Sequence, residues 1–126
     1  MTASISGPAP TVLIVEDESL VRILAADVLA EKGLGVIEAS HANDALEILR
    51  KNPEVDVLFT DINMPGALDG IDLAWEVSRL WPSVVLLITS ARQGVPVGNM
   101  PKNAMFISKP YDLDGLAQTI HELVLP

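Results

Sequence analysis

A chain of 126 residues is the length of one compact domain, and 49% hydrophobic against 20% charged residues is enough apolar material to build a core. Seventeen acids against eight bases leave a net charge of −9, which repels polyanions and argues against direct contact with nucleic acid. With no cysteine there is neither disulfide nor thiolate metal site, and the longest strongly apolar run, Val84 to Ile88, is far short of the ~20 residues a bilayer helix needs.

The N-terminus lacks a basic stretch followed by an apolar one, so no secretory signal is visible and the cytoplasm is the expected compartment. Residues 1–10, small, polar and rich in proline, read as a flexible tail ahead of a domain over residues 11–126. From there, short apolar runs alternate with helix-period segments, the pattern of a doubly wound α/β fold on a five-stranded parallel sheet. Val12 to Val15 predict the first strand. A helix begins at Glu18 or Ser19, runs through Leu20, Ile23, Leu24, Val28 and Leu29, and stops at Gly33 and Gly35. Gly35 to Ala39 predict a second strand, and Ser40 is placed to cap a helix with Ala42, Ala45, Leu46 and Leu49 inward.

Val55 to Thr60 predict a third strand ending on Asp61. After a loop to Gly70 comes a helix with Ile71, Ala74, Val77 and Leu80 inward, broken at Pro82. Val84 to Thr89 predict the fourth strand. Gly94, Pro96, Gly98 and Pro101 then leave room only for a short or irregular fourth helix. Ala104 to Ser108 predict the fifth strand, and Asp112 caps a last helix carrying Leu113, Leu116, Ile120, Leu123 and Val124. His41 and His121 are read as structural.

In an open parallel sheet, ligands bind beyond the carboxyl ends of the strands where the strand order reverses. Those ends carry Glu16-Asp17-Glu18, Asp61, Thr89-Ser90 and Lys109-Pro110. Clustered carboxylates repel one another, and a hard divalent cation such as Mg2+, which takes one or two carboxylates and keeps water elsewhere, is the simplest remedy. An acid at a strand end, a metal beside it and a lysine opposite suit phosphoryl transfer to Asp61, the carboxylate acting as nucleophile.

Five pieces resemble the receiver domain of two-component response regulators, in family order over residues 11–125: Val-Glu-Asp-Glu at 15–18, Asp-Ile-Asn-Met-Pro-Gly at 61–66, Asp-Gly at 69–70, Thr-Ser-Ala at 89–91 and Ser-Lys-Pro-Tyr-Asp at 108–112. The resemblance implies a flavodoxin-like (βα)5 receiver fold of the stand-alone type. It implies a phosphoacceptor at Asp61, served by a histidine kinase or histidine phosphotransfer protein. It further implies Mg2+ held by Glu16, Asp17, Asp61 and the backbone carbonyl of Asn63, a switch pair of Ser90 and Phe106, and a phosphate-binding Lys109. Lys109–Pro110 matches the family's cis peptide, and Asn63 and Arg92 match positions that tune acyl-phosphate lifetime.

The sequence departs from the commoner pattern at Glu16, Ser90 and Phe106, and the loop from Pro65 to Gly70 is one residue longer than usual. Which of Thr89 and Ser90 faces the site depends on strand register; Ser90 is favoured because the small Ala91 follows it. The expected output is a changed contact with a downstream protein, without enzymatic turnover. A Mg-dependent aspartyl phosphatase is the first alternative, but the general acid such enzymes carry two residues past the nucleophile is here Asn63. A receiver-like binding module that is never phosphorylated is the second; Asp17, Asp61 and Lys109 weigh against it. A nucleotide-binding domain fits least, since acids rather than glycines follow the first strand.

Overall fold

The computed structural model describes residues 9–62, 68–90, 100–108 and 112–124. Five strands form one parallel sheet: β1 (Thr11–Val15), β2 (Gly35–Ala39), β3 (Val57–Asp61), β4 (Val85–Ser90) and β5 (Ala104–Ser108), in the order β2-β1-β3-β4-β5. Four helices are seen among the described residues: α1 (Ser19–Glu31), α2 (Ala42–Lys51), α3 (Gly70–Leu80) and α4 (Leu113–Val124). This is the expected doubly wound, flavodoxin-like architecture. The predicted N-terminal tail up to residue 8 and the irregular segment over 91–99 lie outside the described residues.

Strands buried on both faces must be apolar on both faces, and the alternation sorts their side chains into two cores. Leu13, Val15, Leu58, Leu86 and Ile88 pack beneath α2 and α3, against Ala45, Leu49, Leu73, Ala74 and Val77. Val12, Ile14, Val57, Phe59 and Leu87 pack beneath α1 and α4, against Ala25, Ala26, Leu29, Leu116 and Ile120. The inward stripe of α2 is as the sequence predicts. Two other helices are phased differently. In α1 the buried residues are Ala25, Ala26 and Leu29, whereas Leu20, Ile23 and Leu24 are 81%, 47% and 59% exposed. This helix is apolar nearly all round, so hydrophobicity alone does not choose its inner face, and small alanines let it approach the sheet closely. In α3 the buried stripe is Gly70, Leu73, Ala74 and Val77, with Leu80 exposed, because the helix starts at Gly70 pressed against β3.

The helix ends show which polar residues do the capping. Asp69 accepts from Asp72 N–H at 2.9 Å while the Asp72 carboxylate accepts from Asp69 N–H at 3.2 Å, a reciprocal capping box. Asp112 accepts from the N–H groups of Asp114 and Gly115, as predicted. Ser40 does not cap α2: His41 occupies the N-cap position, and the Ser40 hydroxyl donates to Asp44 instead. At the end of α1, Gly33 takes φ 89°, the left-handed turn that an L side chain resists, and Leu34 N–H returns to Leu29 O. His121 Nε2 sits 2.8 Å from Lys32 O, tying α4 to the end of α1, and His41 pairs with Asp44 at 3.2 Å. Among the described residues no helix is long and apolar enough to cross a membrane.

Gly70 is required by packing. A Cβ there would run into the Asp61 carbonyl and the Ile62 backbone. Gly70→Ala is therefore expected to lower unfolding free energy by about 2–4 kcal/mol, the range of a backbone clash that cannot relax, as measured by urea unfolding. A wild-type midpoint would show that α3 can shift away from Asp61 freely.

Candidate functional site

The strand order reverses beside β1: α1 leads from it to β2 on one side, and α2 leads from β2 to β3 on the other. The carboxyl ends of β1 and β3 are therefore neighbours, in register through Val15↔Thr60. The next residues are Glu16 and Asp61, both of them buried (6% and 8% exposed) in a region where charge is costly. They line one small cavity on the α1 side of the sheet, together with Ile14, Val15, Arg22, Ala25, Phe59 and Thr89 among others.

The rim is held by specific bonds. Glu16 N–H donates to Ala39 O at 3.1 Å, which fastens the end of β1 to the end of β2. One Glu16 carboxylate oxygen accepts from Glu18 N–H at 3.0 Å, fixing the turn into α1. Arg22, one turn into that helix, donates to Glu16 O at 2.8 Å and pairs with Glu38 on β2 at 3.1 Å. Its guanidinium brings a positive charge in among the acids of the rim. Past Asp61, Ile62 N–H donates to Thr89 O and Gly70 N–H to Ile62 O, both at 2.9 Å, so the chain leaving β3 is tied on both sides.

Asp17 is exposed on the turn beside Glu16. Among the described residues, no three His, Cys, Asp or Glu side chains stand close enough to hold a metal by themselves. Glu16 and Asp61 are brought together and Asp17 stands at their edge, short of a three-carboxylate cage. The donor set still fits Mg2+: hard oxygens, one or two carboxylates, and an open edge for water ligands. Asn63, Lys109, Arg92 and the Lys109–Pro110 peptide lie outside the described residues.

Thr89 is the Cα partner of Asp61 across β3 and β4, and residues in register on parallel strands share a face. Thr89 thus stands on the Asp61 side and lines its cavity. Ser90 is the next residue and pairs with Ser108 on β5, while Ile88 pairs with Phe106. Phe106 is partly buried against the α2–α3 core. Sequence reasoning considered Thr89 only as a register alternative to Ser90 and did not single out Arg22. The available signals were an alcohol closing an apolar strand and a lone cation on an otherwise apolar first turn.

Comparison with known proteins gives the class to which this open parallel sheet with acids at its reversal point belongs. The family model of the response regulator receiver domain matches residues 12–121, and the chain belongs to that family. It is 36% identical over 124 residues to the sensor kinase CckA of Brucella abortus, covering 95% of this chain and 13% of that protein. It is 34% identical to the transcriptional regulatory protein PdtaR of Mycobacterium tuberculosis, covering 86% of this chain and 54% of that one. The chain therefore spans about half or less of these two relatives. A receiver domain protein from Clostridium thermocellum superimposes with a TM-score of 0.83 at 25% identity, covering 91% and 94% of the two chains.

Arg22→Met should remove two charge-assisted bonds and leave Glu38 and the Glu16 carbonyl to solvent. A loss of about 1–3 kcal/mol in urea unfolding is expected. No loss would mean that the backbone alone holds the rim.

Proposed function

We propose that this receiver domain is a phosphoacceptor in a two-component or phosphorelay pathway, with Asp61 as the accepting residue. The observation that carries the reading is the meeting of two buried carboxyl groups, Glu16 and Asp61, at adjacent strand ends, a set of hard oxygen donors suited to a divalent cation. Receiver domains are signalling modules rather than conventional enzymes, generally use Mg2+ for phosphorylation, and interact with histidine kinases or phosphotransfer proteins. For this chain the ion would be held by Glu16, Asp17, Asp61 and the Asn63 carbonyl, and would offset charge on the transferring phosphoryl group.

In the proposed reaction an Asp61 carboxylate oxygen bonds to phosphorus as the P–N bond of a phosphohistidine breaks, the imidazole keeping the electron pair. Lys109 neutralises phosphoryl charge as a compact ammonium, and the hydroxyl at the end of β4 donates to a phosphoryl oxygen, Thr89 rather than the expected Ser90 being in register with Asp61. Movement of that hydroxyl makes room for Phe106 to turn inward, shifting a balance between two conformers that a downstream protein reads. Intact-mass analysis after incubation with acetyl phosphate and Mg2+ should show one added phosphate mapping to Asp61. Neither Asp61→Asn nor an EDTA-treated sample should gain it. Phosphate on Asp61→Asn would overturn the assignment.

The exposed side of α1 supports a protein donor. Leu20, Ile23 and Leu24 form an apolar ridge that begins three residues after Asp17. A donor seated there would reach the rim, and burying these side chains would supply binding energy. Leu20→Glu should slow transfer from a phosphohistidine-bearing protein about tenfold or more, while phosphorylation by acetyl phosphate is unchanged. Equal slowing with both donors would refute docking on α1.

A further inference from the structure

β2 is an edge strand: it pairs with β1 on one side, and no described strand lies beyond it on the other. Gly35 N–H donates to Pro10 O and Ala39 O accepts from Glu16 N–H, both bonds running toward β1. Main-chain groups alternate sides along a strand, so Gly35, Ile37 and Ala39 turn theirs to β1. Val36 and Glu38 therefore present two N–H and two C=O groups off the open edge. Such an edge is a template for a further strand. Alongside it runs an open groove of about 420 Å³, lined by Asp44, Glu47, Ile48 and Lys51 of α2 together with Arg22 and Glu38. Asp44 lies in the first turn of that helix and Lys51 is its last residue.

We propose that this edge is a self-association surface, its occupant the β2 edge of a second copy of the chain, laid antiparallel about a two-fold axis at Ile37. The outward residues Val36 and Glu38 are symmetric about Ile37. In that register Val36 of each copy exchanges N–H and C=O bonds with Glu38 of the other, and every edge group of both copies finds a partner. Val36 stands opposite Glu38 and Ile37 opposite Ile37, so no like charges face each other in the ladder. The groove favours a second copy over an unrelated strand. Antiparallel placement sets the Asp44 end of one α2 against the Lys51 end of the other, so unlike charges meet twice. The contact uses the same patch on both copies and closes on itself, which gives a dimer and not a filament. Its strand is short, so the pair is weak and reversible, at the low end of specific interfaces. Because the two sheets run in opposite directions, the two Asp61 rims lie at opposite ends of the dimer and neither is covered.

Sedimentation velocity of the full chain, at physiological salt and at concentrations rising to the millimolar, tests this. Wild type should pass from the mass of one chain to that of two and no further. Glu38→Pro removes an outward N–H that an edge strand of the monomer can lose, and should weaken the pair about tenfold or more. Glu38→Gln keeps that N–H and should associate as wild type does. Lys51→Glu should weaken association about three- to tenfold, and adding Asp44→Lys to it should restore the wild-type strength. Neither misfolding nor a contact elsewhere on the chain would produce that rescue. If circular dichroism shows Glu38→Pro unfolded, the charge exchange alone decides. A chain that stays monomeric, a mass that grows beyond two copies, a dimer indifferent to a folded Glu38→Pro, or a charge exchange that restores nothing would each overturn the inference.

Discussion

The adjacency of β1 and β3 is the constraint from which the rest follows. The sheet order places one strand ending in Glu16 next to another ending in Asp61, and the register Val15↔Thr60 brings the two ends level. Both carboxyl groups are then buried at one rim, in a cavity that the Arg22 side chain also lines. The placement of this rim therefore comes from the topology.

Holding such a rim requires cross-links that apolar packing does not supply. Arg22 ties the Glu16 carbonyl to Glu38, and Glu16 N–H reaches Ala39 O, so the ends of β1 and β2 and the start of α1 form one unit. On the other side, Gly70 lets α3 begin against the backbone of Asp61 and Ile62, and the capping box of Asp69 and Asp72 fixes that start. Asp61 is thus braced from both neighbours.

The two faces of the sheet divide the labour. Asp61 and Thr89 stand on the side covered by α1 and α4, where the exposed ridge of Leu20, Ile23 and Leu24 also begins. Phe106 packs toward α2 and α3.

Much of this was written in the residue order. The apolar runs determined the strands to within two residues, because a strand covered on both faces tolerates little else. The acids at the strand ends and the cap at Asp112 are chemistry that local sequence displays, whereas the capping box of Asp69 and Asp72 emerged with the fold. The inner faces of α1 and α3 were decided by tertiary structure: α1 is apolar nearly all round, and the phase of α3 is set by where Gly70 meets Asp61. Likewise, Arg22 as a bridge and Thr89 as the neighbour of Asp61 depend on strands and helices distant in sequence meeting in one register. Local pattern determines which surfaces are buried, but which of two adjacent hydroxyls stands beside a carboxylate is a property of the ladder that only the folded chain possesses.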